Sequence, residues 1–340
     1  MSGGVDSSVA AALLKAQGFE VIGLTMYFDF SPGVIKDAKK VAKKLNIKHY
    51  TLNMQNALQE YVIKDFCQEY INGRTPNPCV RCNKFIKFNY LLKIAFSLNA
   101  TYLATGHYAK VTRSQGHKAT GYLLKKAKDK TKDQSYFLYR LNQQQLEHIL
   151  FPLGGYTKEE VREMAKSFGL SVADKLASQE ICFLPNQDYR EFLKEYIPGH
   201  IKPGPIVDKD GNILSEHKGI AFYTIGQREG LGIAKGYPLY IIRIDPPSNE
   251  ITVGTKEDAF KKEFLVKELS FILEPIKNKV VLKVRIRYNH KEALAEILPI
   301  KNKIKVKFKK AQFAVTPGQS AVFYDKDIII GGGIIEKVLN

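Results

Sequence analysis

Over roughly the first 110 residues, short apolar runs alternate with longer amphipathic stretches, the pattern of repeated strand–helix–strand units around a parallel sheet. Val21-Ile22-Gly23-Leu24-Thr25-Met26 reads as a buried strand, and Val34, Ile35, Ala38, Val41, Ala42 and Leu45 then recur at helical spacing. The pattern continues with a strand at His49 to Leu52, a helix from Asn56 to Tyr70, a helix from Lys84 to Leu98 and a strand at Thr101 to Thr105. It predicts a doubly wound α/β domain.

From Ser135 to Tyr196 the pattern is mainly helical, with Thr157-Lys158-Glu159-Glu160 as a capping box that opens one helix. Pro198-Gly199 and Pro203-Gly204-Pro205 then interrupt the chain and predict a boundary near residue 200. Short apolar segments follow at Ala221 to Ile225, Tyr240 to Ile244, Val280 to Tyr288, Ile304 to Phe308, Ala321 to Tyr324 and Ile328 to Ile335. They predict a small β-rich linking domain and then a β-barrel. The expected division is 1–200, 201–260 and 261–340, with no internal repeat or low-complexity tract.

No apolar run reaches the roughly 18 residues of a membrane span, and Met1-Ser2-Gly3-Gly4 is not a secretory start, so a cytoplasmic protein is expected. The net charge of +18 favours polyanions. Lys outnumbers Arg 42 to 10, however, and a lysine-rich genome would produce much of that excess without an RNA partner. Four cysteines are too few for a disulfide scaffold, so each spacing is read for metal or redox chemistry.

Ser2-Gly3-Gly4-Val5-Asp6-Ser7-Ser8 stands where an apolar helical stretch, Val9 to Leu14, begins. Two glycines and free backbone N–H groups at a helix start make a cradle for phosphate oxygens. A lone glycine pair would read as an ordinary helix cap, and the absence of a Gly-Lys-Ser/Thr ending excludes a Walker A loop. The whole string resembles the SGGxDS motif of the pyrophosphate-loop ATPases, which implies ATP cleavage between the α and β phosphates to adenylate an oxygen. In that superfamily the loop follows a buried strand, whereas only Met1 precedes Ser2 here. The expectation is that the start lies too far downstream and a strand is missing; otherwise the loop is anchored in another way.

Thr75-Pro76-Asn77-Pro78-Cys79-Val80-Arg81-Cys82-Asn83-Lys84 sets two cysteines three apart on what reads as a proline-fixed loop leading into a helix, and Ser178 to Pro185 carries Cys182. A cysteine near a helix start beside Arg81 and Lys84 is expected to have a lowered pKa. Three chemistries are open: a structural zinc site, which lacks an evident fourth ligand; a redox pair; and sulfur transfer with Cys182 as persulfide carrier and Cys82 resolving it. Cys67, within the amphipathic Tyr61 to Tyr70 stretch, reads as a core residue.

TPNPCVRCN, KDQSYFL, EICFLP, YTIGQR and TPGQSAVFY followed by GGGII, in this order along essentially the whole chain, resemble the signatures of the bacterial tRNA-specific 2-thiouridylase family (MnmA). The resemblance implies that Ser2 to Ser8, Met26 and Gly106 hold ATP, that Cys82 is the nucleophile, and that Cys182 carries a persulfide. It implies that Asn77, Pro78 and Cys79 meet the target base, and that Lys132, Asp133, Gln134, Arg287 and Tyr288 contact tRNA. The expected partners are a tRNA, through its wobble uridine, and a sulfur-donor protein or sulfide. Adenylation would turn the uridine C2 oxygen into a leaving group, Mg²⁺ would neutralise the departing pyrophosphate, and the base would be splayed out of the anticodon loop.

Some family members have Asp where this chain has Cys79, and Cys79, Cys82 and Cys182 could instead hold an open-site [4Fe–4S] cluster. That route and the persulfide–disulfide route are both open. On periodicity Arg285 and Arg287 are only a solvated strand face, Lys132 belongs to a lysine run, and His107 reads equally as a satisfied loop histidine or a catalytic one. The competing functions are another adenylating pyrophosphate-loop synthetase, which needs no tRNA, and a non-catalytic Fe–S or zinc RNA-binding protein, which makes no pyrophosphate.

Overall fold

The computed structural model describes residues 1–28, 33–116, 119–175, 181–184 and 188–339. The loop string runs straight into helix α1, Val5–Ala16, which buries Val5, Val9, Ala10, Ala12 and Leu14. Strand β1, Ile22–Tyr27, lies parallel to β2, Lys48–Asn53, in the register Leu24↔Tyr50, and helix α2, Gly33–Lys44, crosses between them. A second parallel pair joins β3, Leu103–Ala104, to β6, Ile149–Leu150. The strand pairs are thus β1–β2 and β3–β6 rather than one continuous sheet. On one side α1, α2 and the helix Lys158–Ser167 share a core of Val9, Val41, Leu153 and Val161. On the other, the helices spanning 55–71 and 78–97 bury Leu58, Ile63 and Phe66, and Phe88, Leu91 and Leu92. Two helical layers around parallel strands make this the doubly wound class.

Several expected elements differ. The second of these helices starts at Pro78, not near Lys84. Asn77 caps it, its side-chain oxygen accepting from Val80 N at 3.4 Å, and Pro78 takes the first helical position, where a missing N–H costs nothing. Cys79 and Cys82 therefore sit in the helix rather than on a loop, and Cys82–Tyr90 is wound as a π-helix. The mainly helical reading of 135–196 holds only for short helices, of which Lys158–Ser167 has both bonds of its capping box. Ala221 to Ile225 is not a strand but carries the 3₁₀ turn Ile220–Phe222, entered from Gly219 at φ 140.

Beyond residue 200, β7 Gly204–Val207, β8 Ile213–His217, β9 Tyr240–Asp245 and β10 Glu250–Gly254 form a four-stranded sheet. β11 Phe260–Phe271, β12 Val280–Arg285, β13 Ala293–Ile300, β14 Lys303–Phe313, β15 Ser320–Asp325 and β16 Ile328–Leu339 then close on themselves through the β11–β16 pairing. Inward-facing Phe264, Val284, Ile297, Val306, Phe308 and Phe323 fill this six-stranded barrel, each contributing about 1.5–3 kcal/mol of burial. An unforeseen hairpin from the first domain, β4 Ala109–Gly116 and β5 Ala119–Lys126, joins the barrel at the start of β16, where Lys125 pairs with Ile328.

Candidate active site

Gly3 takes φ +63, and a Cβ there would lie 3.0 Å from Val34 O and Asp37 Cβ, so the loop folds tightly against α2. Ser2 N donates to Ser7 Oγ at 3.0 Å, and Ser8 Oγ donates to Gly4 O at 2.8 Å, tying both hydroxyls into the turn. Gly106 closes the cradle from behind: a Cβ there would stand 2.8 Å from Ser7 N. Met26 lies half-buried toward the end of β1, packed against both cores of the opposite layer. The Met1 amino group donates to Leu24 O along β1, and burial lowers its pKa to about 6.

Asp6 of the loop accepts from Tyr108 Oη at 2.8 Å and from Lys158 Nζ at 2.5 Å. Nothing in the motif pointed to Lys158, because the contact spans 152 positions of sequence. Gln134 braces Tyr108 by accepting from its N at 3.0 Å.

Cys82 is buried, whereas Cys79, one turn earlier in the same helix, and Cys182 are exposed. Of the string around Cys182, Ser178, Gln179, Glu180 and Pro185 lie outside the described residues. All three thiols are free. Although the Cys182 residue reaches the surface, desolvation by the protein packed around its thiol pushes that thiol up to about 12, with the neighbouring Cys82 adding to the shift. Cys79 and Cys82 are raised as well, again first by burial. The expected lowering is thus overturned, and so is its expected source. Arg81 pairs with Asp65 at 3.1 Å, and Arg81 and Lys84 both lie over the Phe85 ring, at 4.9 and 4.8 Å. The cation acting on all three thiols is Lys87, which pulls each pKa down against burial. It also helps burial hold His107 well below the usual histidine range; His107 Nδ1 is 2.8 Å from Thr105 Oγ1, and its ring packs on Phe88. Cys67 is a core residue.

Among the described residues no three His, Cys, Asp or Glu side chains are gathered closely enough to hold a metal ion. Cys79, Cys82 and Cys182 therefore do not present the donor set of a [4Fe–4S] cluster or a zinc site in this arrangement.

The residues expected to face tRNA divide. Lys132 is exposed. Asp133, by contrast, is buried: its carboxylate accepts from Ala127 N at 3.0 Å and Ser135 Oγ at 2.8 Å and pairs with Arg285 at 3.5 Å, so it builds the turn instead of reaching solvent. Arg285 is correspondingly no solvated strand residue; it also lies over the rings of Tyr136 and Tyr288. Arg287 donates to Phe313 O at 3.1 Å, and Tyr288 packs on Phe137 with ring centroids 4.6 Å apart.

The structure also joins three of the quoted strings at Thr75, just ahead of Asn77. Thr75 N donates to Pro317 O at 3.0 Å, and its hydroxyl meets that of Thr224 at 3.0 Å. Gln319 Nε2 donates to Thr75 O at 2.9 Å and Pro76 O at 3.1 Å. Gly318 approaches so closely that a Cβ would lie 2.8 Å from Thr75 O. The sheet of 204–254 and the barrel thus hold the entry to the cysteine helix.

The fold and this loop define a protein of the pyrophosphate-loop class extended by two β modules. Residues 1–186 match the tRNA methyl transferase HUP domain, 190–255 the tRNA methyl transferase PRC-barrel domain, and 261–335 the aminomethyltransferase beta-barrel domain. The chain is 51% identical over 352 residues to the tRNA-specific 2-thiouridylase MnmA of Halothermothrix orenii, covering 99% of this chain and 98% of that one. It is likewise 51% identical to the tRNA-specific 2-thiouridylase MnmA 1 of Caldanaerobacter subterraneus subsp. tengcongensis, covering 99% and 96%. Among solved structures, an NMN synthetase from Francisella tularensis is 21% identical over 58% of this chain and 74% of its own, with a TM-score of 0.33. The chain belongs to the tRNA-specific 2-thiouridylase family.

Proposed function

We propose that this protein adenylates the C2 oxygen of a tRNA wobble uridine with ATP and replaces that oxygen with sulfur. The observation that carries the reading is the placement of Cys79, Cys82 and Cys182 as electrostatic neighbours around Lys87, in the same domain as the phosphate cradle. ATP lies on Ser2 to Ser8 with Gly106 and Met26 beside it. The cradle supplies one exposed-edge carboxylate, Asp6, which suits Mg²⁺ held mainly by the nucleotide's own phosphates. Bound there, Mg²⁺ would neutralise charge on the departing pyrophosphate. Asn77, Pro78 and Cys79 meet the base at the start of the helix. Lys132, Gln134, Arg287 and Tyr288 line the approach of the tRNA, with Asp133 shaping it from within.

Sulfur arrives on Cys182 as a persulfide by exchange with the persulfide of a donor protein, whose own thiol is released as the terminal sulfur moves across. The terminal sulfur bonds to C2, and the C2–O bond breaks as AMP leaves with the oxygen. The Cys82 thiolate then attacks the Cys182 sulfur, giving a Cys82–Cys182 disulfide and leaving 2-thiouridine. A dithiol reductant returns both thiols. Exposure of Cys182 favours loading from outside, and burial of Cys82 favours its acting second.

Anaerobically purified protein is assayed for iron and sulfide, loaded with persulfide, and given tRNA and ATP. An iron-free protein that releases pyrophosphate only with tRNA and forms 2-thiouridine supports the reading. Pyrophosphate release without tRNA would point to a small-molecule synthetase, no release at all to an RNA-binding protein, and about four irons lost in Cys79→Ala to a cluster enzyme.

A further inference from the structure

Lys158 is out of place for stability. It is 8% exposed, and an ammonium is buried only at a cost unless it is paired. It also occupies the first position of its helix, the end where the backbone dipole disfavours a cation. Its backbone is nevertheless fixed there: Lys158 N donates to Asp129 Oδ2 at 3.0 Å, and Thr157 and Glu160 complete the cap in front of it. Asp129 is otherwise occupied by Thr131 N and Oγ1, at 2.9 and 2.7 Å. Among the described residues the counter-charge on the Lys158 ammonium is the loop carboxylate of Asp6, at 2.5 Å. Asp6 does not depend on it, because Tyr108 Oη holds the same carboxylate oxygen at 2.8 Å.

We propose that Lys158 is a catalytic residue of the nucleotide site, exchanging Asp6 for the pyrophosphate half of ATP. The inference rests on reading the Ser2 to Ser8 loop as the ATP cradle. In the adenylation step the uridine O2 bonds to the α-phosphorus while the bond from that phosphorus to the bridging oxygen breaks. The electron pair stays on the pyrophosphate, and the ammonium offsets that growing charge without giving up its proton. Tyr108 keeps Asp6 in place once the lysine has moved. A buried cation set against its dipole is then explained by the anion it awaits.

The test measures pyrophosphate, AMP and ATP affinity by calorimetry, with melting curves, on the full-length protein. Lys158→Met is expected to weaken pyrophosphate about 10- to 100-fold, the worth of a charge-assisted hydrogen bond, while AMP changes less than about threefold. Lys158→Arg is expected to recover part of the loss. Asp6→Asn removes the competitor and is expected to tighten metal-free pyrophosphate, which a purely structural ion pair would not do. Unchanged pyrophosphate affinity in Lys158→Met with a lowered melting temperature, or weaker pyrophosphate binding in Asp6→Asn, would overturn the proposal. A wild-type protein that binds neither ATP nor pyrophosphate would instead overturn the ATP reading of the loop itself.

Discussion

The two ends of the site are prepared in opposite ways. At the phosphate cradle the serines, the Gly4 carbonyl, Asp6, Tyr108 and Lys158 already have partners, so the binding surface exists before a ligand arrives. At the cysteine end desolvation raises the pKa of all three thiols, and Lys87 is the cation that works against it. A preorganised site lowers the cost of charge development, whereas a protonated thiol is unreactive until its surroundings change. The difference suits a two-stage reaction in which ATP chemistry is always ready and sulfur chemistry waits for the activated base.

The largest break between the two ends is expected from Cys182→Ser. Thiolation should fall at least about 10³-fold, as expected for loss of a covalent carrier. Pyrophosphate release in the presence of tRNA should persist, measured on the same reaction. Loss of both activities together would show that the two ends are not separable.

Lys87→Met should come next, with a loss of about 10-fold in single-turnover sulfur transfer near neutral pH. The sign follows from the opposing causes: burial raises the thiol pKa values and Lys87 lowers them, so removing Lys87 raises them further. Both proteins lie far below their thiol pKa values near neutrality, so the two thiolate fractions rise in parallel with pH and the fold-deficit should stay constant there. Lys87→Arg should retain most of the rate. A deficit that Lys87→Arg fails to relieve would assign Lys87 to packing instead.

Much of this was legible in the sequence, because local signals fix local structure. The α/β rhythm, the capping box at Thr157 and the glycine loop could all be read. The early start of the cysteine helix was legible too, since Asn77 followed by Pro78 is a cap and a first-turn residue; reading both prolines as loop obscured it. Other features have no local signal. Lys87 acts on Cys182 electrostatically only because the fold brings their segments together, and Lys158 meets Asp6 across 152 positions. Asp133 sits in a polar run that looks exposed, and the backbone N–H of Ala127 is what turns it inward. The β4–β5 hairpin joins the barrel through a register pair 203 residues apart, 328 minus 125.

The contacts at Thr75 lie between the two ends and test whether the barrel keeps them in step. Gly318→Ala would add a Cβ 2.8 Å from Thr75 O at a backbone position, φ +92, that favours glycine. Thiolation kcat should fall about 10-fold, as for a displaced reacting group, with tRNA affinity within about threefold. Thr75→Val, which removes the hydroxyl contact with Thr224, should act in the same direction, and Thr75→Ser should restore it. A loss confined to tRNA affinity would mean that the contacts seat the RNA without positioning the helix.

The smallest effect is expected at the prepared end, from Thr157→Ala. The substitution removes the hydroxyl that accepts from Glu160 N at 3.2 Å and costs about 1 kcal/mol as a lost helix cap, read as a lower melting temperature. Pyrophosphate release should scarcely change, because Asp129 still accepts from Lys158 N at 3.0 Å and keeps the start of that helix beside the loop. If release fell as steeply as in Lys158→Met, the cradle would depend on that single cap. The contrast between a prepared end and a waiting end would then be narrower than the hydrogen bonds around Asp6 and Asp129 imply.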